Sequence, residues 1–433
     1  MSMGVKGKKP AAGDLVSLEL ESLNYSDQAV GRLDGFVVFV SGGVPGDKVL
    51  VRIEDVKKNY AVAEIADIVE ASPIRCNPPC VHFTEGCGGC QWQQIEYKHQ
   101  VYWKREILIQ ALNRIGKQDN IPEIKINTQE SPTGYRNKLR VFSANSSRKF
   151  GLKTLGTHHV VPINKCLVSS EKINSLSPLF RGEVLSRIGS LNEISIRNSS
   201  VSNKLMLLCN YGVENLDDHV AELSRLQEVS SVYYRVDSQV IHAYGDTNLI
   251  ESVNGLDYYI GPRSFFQVNK NGLKQMIRVV KEMAGYSNKI ILDAHSGVGT
   301  FALQLADRGK TIWGTDISRE AVCLASINAD MNGIKNTRFR QGTAEYILQK
   351  DLNGHKIDLV ILDPPRKGCS KRDLKALIEA KPRRIIYISC NPTTLSRDIN
   401  KLTQNYYKLS KLALIDMFPM TYHLETIALL CLQ

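Results

Sequence analysis

The order of apolar and polar positions changes character twice along the chain. From Asp14 to about Val69, short apolar stretches alternate with turn signals. The stretches are Val16–Leu20, Phe36–Val40, Val49–Ile53 and Ala61–Ile65, and the turns include Leu33-Asp34-Gly35 and Ser41-Gly42-Gly43-Val44-Pro45-Gly46-Asp47. Short strands at this spacing predict a small β-barrel of the OB type, an architecture that takes single-stranded nucleic acid, or another small barrel or sandwich. The middle of the chain is mixed: a helical pattern over Tyr97–Ile115, then strand patterns at Leu205–Tyr211 and Val232–Val236. Beyond it, apolar strands at Ile290–Leu292, Thr311–Gly314, Leu359–Leu362, Ile385–Ile388 and Ile427–Cys431 alternate with helical patterns. That alternation predicts a parallel, doubly wound sheet. The expected organisation is multidomain α/β: a basic tail over 1–9 carrying Lys6, Lys8 and Lys9, a barrel over 10–70, a mixed α+β domain over 71–258 and a Rossmann-like domain over 259–433.

Length and composition agree with that division. At roughly 150 residues per domain, 433 residues suggest about three domains. A chain that is 43% hydrophobic and 23% charged is neither collagen-like, disordered nor a disulfide scaffold. No apolar run approaches the ~20 residues of a membrane span, and Met1–Pro10 lacks the apolar stretch of a signal peptide, so a cytoplasmic location is expected. The charge adds something new. Lys+Arg 55 against Asp+Glu 44 leaves +11, which fits either a nucleic-acid partner or a solvated basic surface. Basic clusters at Lys57-Lys58, Lys104-Arg105, Arg136–Arg140 and Arg383-Arg384 have Tyr60, Tyr102, Trp103 and Tyr135 nearby, a mixture suited to phosphates and stacked bases.

The C-terminal segment carries the chemistry. Ile290–Asp293 is a strand that runs into Gly297-x-Gly299-x-x-Ala302, a tight turn opening a helix, and Asp316 closes the next strand about 20 residues on, where a carboxylate grips a ribose diol. Asp293, ahead of the glycines, would repel a pyrophosphate but suits the cationic sulfonium of S-adenosylmethionine. A methyltransferase is therefore favoured over a dehydrogenase. Asp363-Pro-Pro-Arg366 ends a later strand on the side where ligands sit in such sheets. Asp-Pro-Pro followed by an aromatic marks amino-group methyltransferases, and Arg366 in that place argues against attack on an exocyclic amine. Ser389-Cys390-Asn391-Pro392 ends another strand, ahead of a helix that Thr393 or Thr394 would cap, and a helix N-terminus lowers a thiol pKa. Carbon 5 of a pyrimidine is a poor nucleophile until a thiolate adds to carbon 6, after which the carbon-5 proton must be removed by a base. His423 and Glu425 are the candidates.

Three cysteines, Cys80, Cys87 and Cys90, lie within eleven residues around Gly86-Cys-Gly-Gly-Cys. In a reducing compartment such clustering favours a metal over a disulfide, and the spacing suits zinc or iron–sulfur alike; Cys76 is a rival ligand.

Together, Ser389-Cys390-Asn391-Pro392, Asp363-Pro-Pro-Arg366, Ser264-Phe-Phe-Gln-Val-Asn269 and Phe418-Pro…His423-Leu-Glu425 resemble the RNA uracil-5-methyltransferases, above all the cysteine-cluster branch that acts on 23S ribosomal RNA. The resemblance covers nearly the whole chain. It implies Cys390 as nucleophile, Glu425 as base with His423 as a neighbour, and Gln267, His295, Thr300, Asp316 and Asp363 lining the S-adenosylmethionine and uracil site. It further implies that the barrel is a TRAM domain, that Cys166 completes a [4Fe–4S] cluster with Cys80, Cys87 and Cys90, and that Tyr135–Arg140 contacts RNA; a monomer is expected. Two positions depart from the family pattern: His295 replaces an aromatic residue of the cofactor loop, and Asp316 replaces a common glutamate. The alternatives are the same chemistry on a tRNA T-loop uridine, a DNA cytosine-5 methyltransferase, and a non-catalytic iron–sulfur RNA-binding protein.

Overall fold

Alternating inward positions close the first domain. In the computed structural model, which describes residues 9–144, 148–185, 191–211, 216–237 and 239–433, strands β1 (Leu15–Leu23), β2 (Gln28–Leu33), β3 (Phe36–Ser41), β4 (Lys48–Val56) and β5 (Tyr60–Glu70) form a closed barrel in the order β1-β2-β3-β5-β4. Leu18, Leu20, Val38, Val40, Val49, Val51, Ile53, Ala61 and Ala63 point inward and are buried, as the period of two requires. The sequence pattern misses β2, where Gly31 interrupts the apolar alternation. A Cβ at Gly31 would stand 3.0 Å from the Glu19 carbonyl, so close strand approach takes precedence over an apolar side chain there. Of the expected basic tail, Lys6 and Lys8 lie outside the described residues. Lys9 packs on the barrel, its Nζ donating to the Lys58 carbonyl at 2.7 Å and lying over the Phe36 ring.

By packing, the chain divides into two units, 1–111 with 418–423 and 112–417 with 424–433. In the first, the barrel is followed by α1 (Val81–Thr84) and α2 (Tyr97–Arg114). Buried Asp47 takes hydrogen bonds from the Val44 and Ser72 amides and pairs with Arg75 at 2.6 Å, fixing the exit of the barrel. The distant segment 418–423 is held by buried polar side chains: Lys104 Nζ donates to the Phe418 carbonyl at 2.9 Å, and Gln100 Oε1 accepts from the Met420 amide at 2.9 Å.

The second unit contains two large sheets. After β6 (Ile124–Asn127) come β7 (Lys138–Ser143), β8 (Phe150–Lys153), β9 (Val160–Pro162), α3 (Glu171–Asn174), α4 (Ser177–Phe180), β10 (Leu191–Asn198), β11 (Leu205–Tyr211), α5 (Leu216–Ser224), β12 (Val229–Val236) and β13 (Gln239–Gly245). Strands β7 to β13 form a seven-stranded sheet ordered β13-β12-β11-β10-β7-β8-β9. A hairpin of β14 (Leu249–Val253) and β15 (Leu256–Ile260) leads to α6 (Lys270–Ala284). The alternating part then runs β16 (Asn288–Ala294), α7 (Thr300–Gln304), β17 (Gly309–Asp316), α8 (Arg319–Met331), β18 (Thr337–Gln341), α9 (Ala344–Gln349), β19 (Leu359–Leu362), α10 (Lys371–Ala380), β20 (Arg384–Ser389), α11 (Pro392–Thr403), β21 (Tyr407–Ile415) and β22 (Glu425–Leu432).

These strands form an eight-stranded sheet ordered β18-β17-β16-β19-β20-β22-β21-β6. The expectation of a parallel sheet holds for β16 to β20 and fails beyond them: β22 runs antiparallel to both β20 and β21. The reason is length. Residues 416–424 between β21 and β22 are too few for the dozen or more that a parallel crossover needs. The edge strand β6 comes from the segment assigned by sequence to the middle domain and pairs with β21.

Candidate active site

The cofactor loop is built by backbone hydrogen bonds to the neighbouring strand. The amides of His295 and Ser296 both donate to the Thr315 carbonyl, at 2.9 and 2.8 Å. The Gly297 amide donates to Asp316 Oδ2 at 3.1 Å, and Asp316 Oδ1 accepts from the Ser318 amide at 2.8 Å. This turn forces His295 (φ 86°) and Gly299 (φ 89°) into the left-handed region. Gly299 caps α7, and a Cβ there would stand 3.2 Å from the Phe339 ring and 3.3 Å from Ala325, so both conformation and space demand glycine. Thr300 follows as the first residue of α7, its carbonyl accepting from the Tyr258 hydroxyl at 3.4 Å. Gln267, 8% exposed, sits in a segment stitched to the start of β7. Asn137 donates through its amide to the Val268 carbonyl at 2.8 Å and through Nδ2 to the Gln267 carbonyl at 3.4 Å.

Several polar atoms around this loop are buried without partners: Asp293 Oδ1, His295 Nδ1 and Ser296 Oγ. The other Asp293 oxygen accepts from the Ala302 amide at 2.8 Å. Burial pushes the Asp293 carboxyl up to about 8, with Asp363 and Asp316 adding to the rise, while burial lowers the His295 pKa and keeps its ring neutral. Unsatisfied buried acceptors are costly. A carboxylate oxygen left without a donor, beside a glycine turn and a ribose-spaced Asp316, fits a ligand that brings a cation and hydroxyls.

A second group converges at the ends of β19, β20 and β22. Asp363 follows β19, Cys390 follows β20, and Glu425 opens β22. Because β22 is antiparallel, with Ser389 opposite Thr426, its first residue lies at the same end of the sheet as the carboxyl ends of β19 and β20. The departure from a parallel sheet is therefore what brings Glu425 to Cys390. Burial pushes the Cys390 thiol up to about 11. Glu425 and Asp363 add to the rise, and Arg366 opposes it. Glu425, 4% exposed, is held well above the ordinary carboxylate range by burial and by Asp363, against Arg366. Burial likewise raises Asp363 to about 7.

Two sequence expectations are corrected here. The Cys390 thiol is raised, not lowered, because desolvation and two carboxylates outweigh a helix terminus and one arginine. The cap of α11 is Asn391, not a threonine: its Oδ1 accepts from the Thr393 and Thr394 amides at 3.0 and 3.4 Å. Asn391 Nδ2 and Thr394 Oγ1 also donate to the Arg366 carbonyl, each at 3.1 Å, which ties the Asp-Pro-Pro-Arg loop beside Cys390. Sequence reasoning missed this tie, and it missed two exposed apolar residues, Ile317 next to Asp316 and Phe265 in the Gln267 segment. Their signal is exposure, which periodicity does not carry. His423 packs against the rings of Tyr422 and Phe418 at 4.3 and 5.9 Å between centroids.

Among the described residues no three His, Cys, Asp or Glu side chains are grouped so as to hold a metal ion, and none of the ten cysteines is in a disulfide. Cys80 caps α1 and its amide donates to Gln93 Oε1 at 3.2 Å; the Cys87 amide donates to the His82 carbonyl at 2.9 Å. The rival Cys76 turns its thiol to the Gln93 carbonyl at 3.4 Å. Cys166 is buried, its amide and carbonyl both bonded to the Asn174 side chain at 2.9 and 3.1 Å.

Comparison with known proteins gives these sites a context. The tRNA (Uracil-5-)-methyltransferase family profile matches residues 96–432 and the TRAM domain matches residues 12–66. An uncharacterized RNA methyltransferase of Clostridium acetobutylicum is 32% identical over 95% of this chain and 95% of its own, and one of Aquifex aeolicus is 34% identical over 96% and 98%. The crystal structure of Pyrococcus abyssi tRNA (uracil-54, C5)-methyltransferase in complex with S-adenosyl-L-homocysteine superposes with a TM-score of 0.74 at 27% identity, covering 96% of this chain and all of that one. With a five-stranded TRAM barrel at its N-terminus, the chain belongs to the RNA uracil-5-methyltransferase family.

Proposed function

We propose that the protein is an S-adenosylmethionine-dependent enzyme that methylates carbon 5 of one uridine in 23S ribosomal RNA. The observation that carries the chemistry is the meeting of Cys390, Asp363, Arg366 and Glu425 at one end of the sheet, where Asp363 and Arg366 act on the ionisation of both Cys390 and Glu425. Asp293, His295, Ser296, Thr300, Asp316 and Gln267 would hold the cofactor, which when bound supplies an electrophilic methyl group. Cys390 gives up its proton and adds to carbon 6, and the electrons of the 5,6 double bond move to O4 as an enolate. Carbon 5 then takes the methyl group, Glu425 accepts the carbon-5 proton, and the double bond re-forms as the thiolate leaves. The net reaction releases one proton, the one that the methyl group replaces on carbon 5, and Cys390 returns to its thiol. Glu425 must itself be deprotonated before elimination, and Arg366 is the cation that favours both anions. The uridine must leave its stack for the thiol to reach the ring face, and Phe265, 67% exposed, offers a stacking surface.

The proposal includes a [4Fe–4S] cluster on Cys80, Cys87, Cys90 and Cys166. The clustering of Cys80, Cys87 and Cys90 in sequence supports a metal, the iron–sulfur identity and Cys166 as fourth ligand are what the family resemblance implies, and no catalytic step passes through the cluster, since methyl transfer moves no net electrons. Iron and acid-labile sulfide in protein purified without oxygen test it, and metal-free protein with full activity would remove it. A second reading, a tRNA T-loop uridine, is favoured by the likeness to the Pyrococcus tRNA enzyme. Mapping 5-methyluridine in rRNA and tRNA from a deletion strain separates the two. Loss of the base from 23S rRNA supports the first, and loss from tRNA alone replaces it with the second.

A further inference from the structure

The loop that carries Asp363 and Arg366 has little packing of its own to hold it. Pro365, Arg366 and Lys367 are exposed, yet Arg366 is the cation that acts on both Cys390 and Glu425. An exposed charge is readily screened, so its effect depends on being held close. The holding element is α11, the helix that follows Cys390. Side chains at one-turn intervals along it, Asn391, Thr394 and the pair Arg397 and Asp398, grip the loop by its main chain. Beyond the bonds from Asn391 and Thr394 to the Arg366 carbonyl, Arg397 Nη2 donates to the Lys367 carbonyl at 3.2 Å and to the Cys369 carbonyl at 3.4 Å. The Cys369 amide donates to Asp398 Oδ2 at 2.9 Å. At the other end of the loop, Leu362 is paired with Tyr387 in the sheet, and Pro364 and Pro365 restrict the backbone in between.

Asp398 is the centre of this grip. It is fully buried, and both of its oxygens are satisfied: Oδ2 also accepts from the Tyr387 hydroxyl at 2.6 Å, and Oδ1 accepts from Arg397 Nε at 2.8 Å. A buried ion pair is weak evidence for stability, because desolvation offsets its attraction. Its placement has a geometric use. Tyr387 stands on β20 three residues before Cys390, so Asp398 joins the strand that ends at the thiol, the helix after it and the loop beside both. Burial raises the Tyr387 hydroxyl and pushes the Cys369 thiol up to about 12, so neither changes its protonation near neutral pH. Gly368 shows how closely loop and helix meet. Its φ is 75°, and a Cβ there would stand 2.7 Å from both Arg397 Nη2 and Asp398 Oδ2.

We propose that Asp398 and Arg397, anchored by Tyr387, are positioning residues for methyl transfer: they clamp the main chain from Arg366 to Cys369 so that the Arg366 guanidinium stays within reach of Cys390 and Glu425. This role rests on the reaction proposed above. The bonds take main-chain atoms of the loop, so they fix where the Arg366 side chain starts.

The test measures single-turnover methyl transfer by the full chain, with saturating S-adenosylmethionine and total RNA from a deletion strain. Gly368→Ala and Asp398→Asn are each expected to slow transfer by about 10–100-fold, the scale of a misplacement near 1 Å, while half-saturating cofactor and RNA concentrations stay within about threefold. Arg397 is half-exposed, so Arg397→Lys tests the clamp even where a change at buried Asp398 prevents folding; it should slow transfer about tenfold. Coupling separates positioning from general damage. Arg366→Gln should slow transfer, and adding Arg397→Lys to it should slow it no further. Losses that multiply overturn the inference, as does an Arg366→Gln rate equal to wild type or an effect confined to half-saturation. Hydrogen exchange reads the clamp without the reaction: the Cys369 amide should exchange at least about tenfold faster in Gly368→Ala and Arg397→Lys, and unchanged exchange in both overturns the clamp. A wild type that yields no 5-methyluridine removes the proposed reaction, and exchange alone then decides whether α11 holds the loop.

Discussion

The two halves of the active site are prepared differently. At the ends of β16 and β17 the cofactor half is assembled: the loop amides are bonded to Thr315 and Asp316, Gly299 is locked by its φ and its neighbours, and the polar atoms left over are those a ligand would take. At the ends of β19, β20 and β22 the reacting half is assembled in space but not in charge. The Cys390 thiol, near 11, holds its proton at neutral pH, and burial and Asp363 disfavour the ionised form of Glu425. A protonated thiol is a poor nucleophile, which protects it from side reactions. The cost is that substrate, or Arg366 drawn inward by it, must shift the thiol's equilibrium. Binding is preorganised and chemistry is gated.

Removing Cys390, the proposed nucleophile, should have the largest effect. Cys390→Ala should lower methylation by about 10⁴-fold or more, on the scale seen when a covalent nucleophile is deleted, with S-adenosylhomocysteine affinity unchanged by calorimetry. It should also form no adduct with RNA carrying 5-fluorouridine, and an adduct in the variant would break the assignment. Glu425→Gln should follow at about 10²–10⁴-fold. Here the covalent methylated intermediate should accumulate and be visible as an RNA–protein band resistant to denaturant. Rapid release of 5-methyluridine would name another base. Because the Cys390 thiol, near 11, must lose its proton, the wild-type rate should climb as pH rises from 7 toward 9.

The cofactor half is sharpened by Gly299→Ala. Placing a Cβ at φ 89°, 3.2 Å from Phe339, should cost about 1–3 kcal/mol and weaken cofactor binding while leaving RNA binding at wild-type strength. Gly297→Ala is the informative companion. Its φ of 53° is also left-handed, but nothing lies within 4 Å of the added carbon, so it should cost less. Equal losses in the two variants would mean that backbone strain alone sets the requirement.

Much of this was legible from residues. The glycine turn, Asp316, Asp363 and Cys390 announce themselves because each stands at the end of an apolar run, where alternation of strand and helix fixes the end of the sheet that faces the ligand. Leu359–Leu362 was readable to the residue because a strand buried on both faces leaves an unbroken apolar signature. Glu425 was a candidate beside His423, and only the resemblance chose between them. Periodicity gave β22 but not its direction, and a parallel strand would have carried Glu425 to the wrong end. β6 was too short to register, with only Ile124 and Asn127 buried among its residues. The ionisation states were hidden for a different reason: they come from desolvation and from carboxylates distant in sequence, such as Asp363 acting on Glu425.

The smallest expected effect bears on the one place where the prepared half is itself gated. Asp293 holds its proton up to about 8 in the protein without ligand, so its carboxyl is largely neutral at pH 7. A sulfonium cation beside Oδ1 favours the carboxylate, lowers that pKa and releases the proton. S-adenosylmethionine affinity should therefore rise with pH through the neutral range, by at most about tenfold per unit, and level off above about 8. S-adenosylhomocysteine, whose sulfur is uncharged, should show a much flatter profile. The same shift acts on stability with the opposite sign. A carboxyl whose folded pKa is raised stabilises the fold fully below its unfolded value of 3.8, and that contribution is lost as pH climbs toward 8, so the cofactor should stabilise most where the bare protein is weakened. Asp363, raised to about 7, titrates in the same window, and Asp293→Asn separates them: the variant should bind S-adenosylmethionine no better than S-adenosylhomocysteine and with little slope. Calorimetry in two buffers of different ionisation enthalpy counts the proton directly. Equal proton release by both ligands would show that Asp293 does not answer to the sulfonium charge and that its orphan oxygen is reserved for a hydroxyl or a water.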